Sequence, residues 1–196
     1  MDSSGHKQRI GILGGTFDPV HFGHLSLAET MRDRLPLDEV RFIPVRVPPH
    51  KERPDISPAE VRCRMVELAI AGRTGLVLSR LEINRQGISY SVETIRELRR
   101  REPHNEFVFL VGADALPELA EWKDVRELMR LCRFAVAQRP GFPASALPEN
   151  AVAVDGPEIA ISSSMVRDYV REGRSIESLV PEPVRRYIEE KRLYTK

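Results

Sequence analysis

Six short apolar runs alternate with longer stretches of helical periodicity along this 196-residue chain, and that alternation most restricts its fold. The runs are Arg9–Leu13, Glu39–Val45, Leu76–Leu81, Glu106–Val111, Arg133–Gln138 and Ala151–Val154. Several are nearly continuous in apolar residues, as strands covered on both faces must be. Between them, 22–35 carries Leu25, Ala28 and Met31 near one face, and 58–71 carries Val61, Met65, Leu68 and Ala69 at helical spacing. A third helix is predicted over 92–101, with Val92, Ile95 and Leu98 inward and Pro103 beyond its end, and a fourth over 121–130. The second helix reads as starting on Ser57 as N-cap, with Pro58 at its first position and Glu60 closing a capping box. Strand–helix–strand alternation predicts the α/β class: a Rossmann-like, doubly wound parallel sheet flanked by helices. Right-handed crossovers then bring the ends of strands 1 and 4 to one shared crevice.

The tail departs from this pattern. From Ser162 onward only helices are predicted, one capped by Ser162-Ser163-Ser164 and ending at Gly173, the last opening at Pro181 and reaching Leu193. This C-terminal helical part, 162–196, is too small to be stable alone and is expected to pack on the sheet edge, within a single domain spanning 1–196. Residues 1–8 read as a flexible lead-in.

The handover from the first strand to the first helix holds the densest chemistry: Gly14-Gly15-Thr16-Phe17-Asp18-Pro19-Val20-His21-Phe22-Gly23-His24. Unpaired backbone N–H groups at a helix start, together with the helix dipole, favour anions. Gly14 and Gly15 allow close approach of backbone to a ligand, and Thr16 adds a hydroxyl. His21 and His24 are three apart and share a helix face. The pair suits phosphate binding; a metal pair would need a third ligand that the spacing does not supply. The loop lacks the lysine of a P-loop and the third glycine of a dinucleotide fingerprint. A second anion cradle follows at Ile161-Ser162-Ser163-Ser164-Met165-Val166-Arg167, where hydroxyls, free N–H groups and a guanidinium one turn on can hold phosphate oxygens. Alone, it also reads as an N-cap with redundant serines. Two cradles suit a triphosphate. A third basic segment, Pro44 to Asp55, is rich in proline and cations and reads either as an anion-binding lid or as a solvated connection.

Bulk properties exclude several classes. The net charge of +1 gives no protein-wide basic footprint for nucleic acid. No apolar run approaches the roughly 20 residues that span a bilayer. The two cysteines, Cys63 and Cys132, stand far apart without metal-ligand spacing, which suits a reducing, cytoplasmic setting. The sequence is compatible with a monomer and with a homo-oligomer.

Gly14 to His24 resembles the T/HxGH signature of the nucleotidyltransferase superfamily, and Ile161 to Arg167 is similar to its ISSxxxR signature. Pro48-Pro49-His50-Lys51, Ser89-Tyr90-Ser91 with Thr94, Gly112-Ala113-Asp114 with Trp122, Arg139-Pro140-Gly141 and the closing Tyr187-Ile188 and Leu193-Tyr194 narrow the resemblance to the bacterial nicotinate-nucleotide adenylyltransferases, over residues 9 to 194. Ser91 and Ser164 stand where that family often has threonine, and each keeps a hydroxyl. The resemblance implies adenylyl transfer from ATP to nicotinate mononucleotide, with release of pyrophosphate and with Mg²⁺ held mainly by the ATP phosphates rather than by the protein. It implies His21, His24, Lys51 and Arg167 as catalytic groups. ATP is expected to meet Gly14, Gly15, Thr16, Phe17, His21, His24, Gly112, Asp114, Ile161, Ser163, Ser164 and Arg167. The mononucleotide is expected to meet Gly15, Asp18, Lys51, Tyr90, Ser91, Trp122 and Arg139, with the Trp122 indole on the nicotinate ring; on its own, Trp122 also reads as a core residue. Rivals are nicotinamide mononucleotide or phosphopantetheine as acceptor, and a non-catalytic nucleotide sensor of the same fold.

Overall fold

The structure is a computed structural model that describes residues 7–48, 56–138, 147, 150–156 and 159–195. Its centre is β1 (Arg9–Gly15), paired in parallel with β2 (Glu39–Pro44) on one side and β4 (Glu106–Gly112) on the other. β3 (Leu76–Leu78) lies outside β2, and β5 (Arg133–Gln138) and β6 (Ala151–Asp155) lie outside β4. The order β3-β2-β1-β4-β5-β6 is parallel throughout, so the direction of winding reverses between β1 and β4. That reversal opens a crevice at the carboxyl ends of the two strands.

Side chains of each central strand alternate between two apolar layers. Leu13, Val108, Leu110 and Ala135 face the layer built with α1 (Phe22–Arg34) and α2 (Ala59–Ile70). Ile12, Phe107, Phe109 and Phe134 face the layer built with α3 (Ser91–Arg101) and α5 (Val125–Leu131). Burial on both faces is why these strands read as continuous apolar runs. The first layer continues into the tail. Val166 of α6 (Ser163–Arg171) and Val184 and Ile188 of α7 (Glu182–Glu190) join Leu25, Met65 and Val66 in one cluster. The tail was expected on the sheet edge; α7 instead packs against α2, where its apolar stripe finds a matching helix face.

Several local expectations need correction. Helix α2 has Pro58, not Ser57, at its N-cap, and no side chain caps it. The Ser57 N–H instead donates to Asp18 Oδ2 at 3.3 Å, and Glu60 pairs with Arg80. The buried stripe of α2 is Arg62, Met65, Val66 and Ala69, with Val61 and Leu68 only half-buried. The helix expected over 121–130 is a broken segment: a 3-10 turn (Ala113–Ala115), α4 (Leu116–Leu119), then α5, with Asp124 at a φ of 50° ending the gap. Trp122 falls in that gap. β1 runs past Leu13 to Gly15, because the Val45 N–H donates to Gly15 O at 3.0 Å and extends the ladder. β3 stops at Leu78 rather than Leu81, whose side chain turns into the second layer.

Candidate active site

Two cavities open at the carboxyl ends of β1 and β4 and share Gly14, Gly15, Thr16, Leu110 and Ala115. The first, of about 260 Å³, is bounded by apolar and aromatic groups, among them Ile12, Ile43, Phe109, Tyr90 and Trp122. The break between α4 and α5 positions Trp122: its N–H donates to Leu119 O at 3.2 Å, and its ring meets the Phe109 edge with centroids 5.7 Å apart at 78°. The ring is half-buried in the second layer and also lines the cavity, so the core and ligand readings of Trp122 both describe part of it. Opposite stands the start of α3, with Tyr90 as N-cap and Ser91 as first helical residue. Lys123 holds this mouth, its Nζ 4.2 Å above the Tyr90 ring and 2.8 Å from Glu93 Oε1. Glu82, which sequence reasoning missed, forms part of the wall. It is buried, accepts a 2.6 Å bond from Thr94 Oγ1, and has its pKa pushed up chiefly by burial. Nothing in Leu81-Glu82-Ile83 marks that glutamate as an inward group.

The second cavity, of about 500 Å³, is polar, and His21, His24, Ser162, Ser163, Ser164 and Arg167 line it together with Gly112 and Asp114. His21 is the N-cap of α1, and its ring stacks on His24 with centroids 3.7 Å apart at 28°. The His21 backbone N–H donates to His24 Nδ1 at 3.3 Å, which in the neutral ring leaves the proton on His24 Nε2. Burial lowers the His21 pKa to about 4, so at neutral pH it serves as a neutral donor or acceptor rather than a cation. Gly23 makes the stack possible, since a Cβ there would sit 3.0 Å from His21 Nδ1. At the β4 end, a Cβ on Gly112 would meet Asp114 Oδ1 and make that exposed side chain turn aside.

The two signatures are bonded to each other. Arg167 Nη1 donates to Asp18 O at 2.7 Å, and Ser163 Oγ donates to Pro19 O at 2.9 Å. Ser162 is the N-cap of α6, accepting from the Met165 N–H at 3.1 Å, and its hydroxyl lies 2.9 Å from that of Ser164. Phe17, at a φ of 50°, is buried with its ring against His24. Of the expected site residues, Gly14, Gly15, Thr16, Phe17, His21, His24, Gly112, Asp114, Ile161, Ser163, Ser164 and Arg167 converge on the polar cavity; Gly15, Tyr90, Ser91 and Trp122 converge on the aromatic one. Asp18 lines neither. It is buried, and its carboxylate accepts from Tyr194 Oη at 2.6 Å and from Ser57, which makes it a joint between the first loop and the chain's end. Burial pushes the Tyr194 hydroxyl pKa up, so it stays protonated and donates. Lys51 and Arg139 lie outside the described residues. No group of three or more His, Cys, Asp or Glu able to hold a metal occurs among the described residues, and no helix there is long and apolar enough to cross a membrane.

The Cytidylyltransferase-like family model matches residues 12–169. A Geobacillus kaustophilus protein named "Probable nicotinate-nucleotide adenylyltransferase" is 46% identical over 186 residues, covering 95% of this chain and 86% of the relative. A Geobacter metallireducens protein of the same name is 41% identical over 95% of this chain and 98% of its own length. The Plasmodium falciparum nicotinic acid mononucleotide adenylyltransferase, solved with NaAD, superposes with a TM-score of 0.82 at 20% identity over 96% of this chain and 98% of its own, a likeness of fold. With both signatures meeting at one crevice and relatives matching nearly end to end, this chain belongs to the nicotinate-nucleotide adenylyltransferase family within the cytidylyltransferase-like fold.

Proposed function

We propose that the protein transfers the adenylyl group of ATP to nicotinate mononucleotide, giving deamido-NAD and pyrophosphate. One observation carries this reading: an aromatic cavity and a polar cavity join at Gly14-Gly15-Thr16. A flat heteroaromatic ring fits beside Trp122, a triphosphate fits between the histidines and the start of α6, and their phosphates meet at the shared glycines. The α3 N-terminus and Lys123 border the aromatic cavity, but Glu82 and Glu118 line it as well and Glu93 pairs with Lys123, so the choice of a ring carboxylate over a carboxamide is supported by the family and not by the charge of this wall.

The reacting oxygen belongs to the mononucleotide phosphate, already anionic, so the step needs no protein base. That oxygen attacks the ATP α-phosphorus as the bond from that phosphorus to the bridging pyrophosphate oxygen breaks, and pyrophosphate leaves. The protein contributes position and charge stabilisation. His24 Nε2–H and the backbone N–H groups of the first loop face the transferring phosphoryl; Arg167, Ser163, Ser164 and the α6 N-terminus face the leaving pyrophosphate. His21 supports this as a neutral partner stacked on His24. Gly112 and Asp114 lie where the adenosine ribose is expected, at the end of β4. Asp18 acts through the shape of the loop rather than by touching the mononucleotide. By resemblance, Lys51 adds a cation to the reacting phosphates and Arg139 contacts the mononucleotide. Magnesium would shield the phosphate charges and travel with the nucleotide, since the cavity offers mainly N–H and O–H donors rather than the oxygen cage a hard cation takes. Buried free thiols at Cys63 and Cys132 suit a reducing cytoplasm.

The test is a panel assay of pyrophosphate release with ATP and Mg²⁺ against nicotinate mononucleotide, nicotinamide mononucleotide or phosphopantetheine. Fastest turnover with the nicotinate form is expected; none with any acceptor would leave a nucleotide sensor.

A further inference from the structure

Arg62 is an arginine on the buried stripe of α2, with only 1% of its surface exposed. An isolated cation in such a place is costly, and it persists only where its donors are satisfied. Among the described residues, its side-chain hydrogen bonds all go to backbone carbonyls from three separate segments. Nη1 donates to Thr16 O at 2.7 Å, Nη2 to Val45 O at 2.7 Å and to Arg46 O at 3.4 Å, and Nε to Ser57 O at 2.9 Å. The guanidinium therefore fastens the phosphate loop after β1, the exit of β2 and the approach to α2 at a single point. A planar fork of five donors can do this; an ammonium cannot reach all three segments at once.

The bond to Thr16 O has a direct consequence for the site. In a trans peptide the carbonyl and the next N–H point in opposite directions. Holding Thr16 O toward Arg62 sends the Phe17 N–H the other way, and holding Gly15 O on the Val45 N–H does the same for the Thr16 N–H. Thr16 and Phe17 both line the polar cavity. Phe17 adopts a φ of 50°, in the left-handed region, and successive N–H groups in a turn of that kind can form an anion-binding nest. Burial lowers the Arg62 pKa, opposed first by the charge of Asp18, whose carboxylate is itself bonded to Tyr194 and Ser57.

We propose that Arg62 is a positioning residue for adenylyl transfer, which aims the Thr16 and Phe17 backbone N–H groups at the transferring phosphate by holding the loop's carbonyls from behind. This rests on the activity proposed above. Arg62 itself lines neither cavity; Thr16 and Val45, whose carbonyls it holds, border the aromatic one, but it makes no bond to Tyr90, Ser91 or Trp122 among the described residues, so the mononucleotide ring is expected to lose little.

The experiment measures steady-state kinetics and thermal unfolding for wild type, Arg62→Lys and Arg62→Ala. In the folded Arg62→Lys protein, kcat should fall roughly a hundredfold, the cost of a small misplacement at a reacting centre, while the KM for the mononucleotide changes less than about threefold. Millimolar guanidinium should restore part of kcat in Arg62→Ala, and methylammonium should not. A folded Arg62→Lys enzyme with wild-type kcat would overturn the role. So would equal losses in kcat and in binding of both substrates without guanidinium rescue, since that describes a generally loosened fold. A wild-type protein that makes no deamido-NAD would overturn the proposed activity and this role with it, whereas an active wild type with an unaffected Arg62→Lys overturns the role alone.

Discussion

The aromatic cavity and the polar cavity are built from the same loop yet by different means. Around Trp122 the walls are side chains of β1, β4 and the second apolar layer, and the ligand-facing groups are rings and one helix start. Around His21 and His24 the walls are backbone turns and helix N-termini, fastened by bonds between distant segments such as Arg167 to Asp18 O and Ser163 to Pro19 O. Packing gives the first cavity shape, which suits holding a ring. Directed donors give the second a field, which suits stabilising charge that develops during reaction. Binding energy for the acceptor and stabilisation of the transition state are thus expected to separate along this line.

The strongest way to break that separation is His24→Ala. Its ring lines the polar cavity, and kcat should drop by about 10² to 10³, the usual cost of one directed donor, with the mononucleotide KM little changed. Steady-state pyrophosphate release reads both parameters; a KM effect without a kcat effect would move His24 to the binding side. Trp122→Ala should do the reverse, raising the mononucleotide KM about tenfold through lost stacking while the ATP KM holds. Tyr194→Phe probes the joint beneath both cavities. Removing a hydrogen bond to the Asp18 carboxylate should cost about 1.5–3 kcal/mol in urea unfolding, with the KM values of both substrates close to wild type.

A further effect is one of pH. The His21 pKa of about 4 lies below its ordinary value of 6.5, so between those values the unfolded chain binds the extra proton. Stability should therefore be level above pH 6.5 and fall as pH drops toward 4, and His21→Asn should flatten that slope. An unchanged slope in the variant would place the acid sensitivity elsewhere.

Much of this was legible along the chain because it is local. Phe107 to Val111 reads as a strand buried on both faces, Leu25, Ala28 and Met31 as one helix face, and the glycine–histidine run as a helix start. What escaped is long-range. Ser57 reads as a cap until its N–H is claimed by Asp18, 39 residues away, and Asp18 reads as a ligand group until Tyr194, 176 residues away, takes its carboxylate. Trp122 reads as helical because nothing local shows that Asp124 adopts the left-handed region. Arg62 did leave a signal: it falls at the spacing of Met65, Val66 and Ala69, so choosing Val61 to begin the stripe hid an inward cation.

Trp122 is the chain's single tryptophan, so its fluorescence reports one cavity directly. Titrating the wild-type protein with nicotinate mononucleotide should quench that emission saturably, as the ring stacks on the indole, while a non-hydrolysable ATP analogue binds with little change in it. Quenching by the ATP analogue with none from the mononucleotide would contradict the division of the site into an acceptor cavity and a triphosphate cavity.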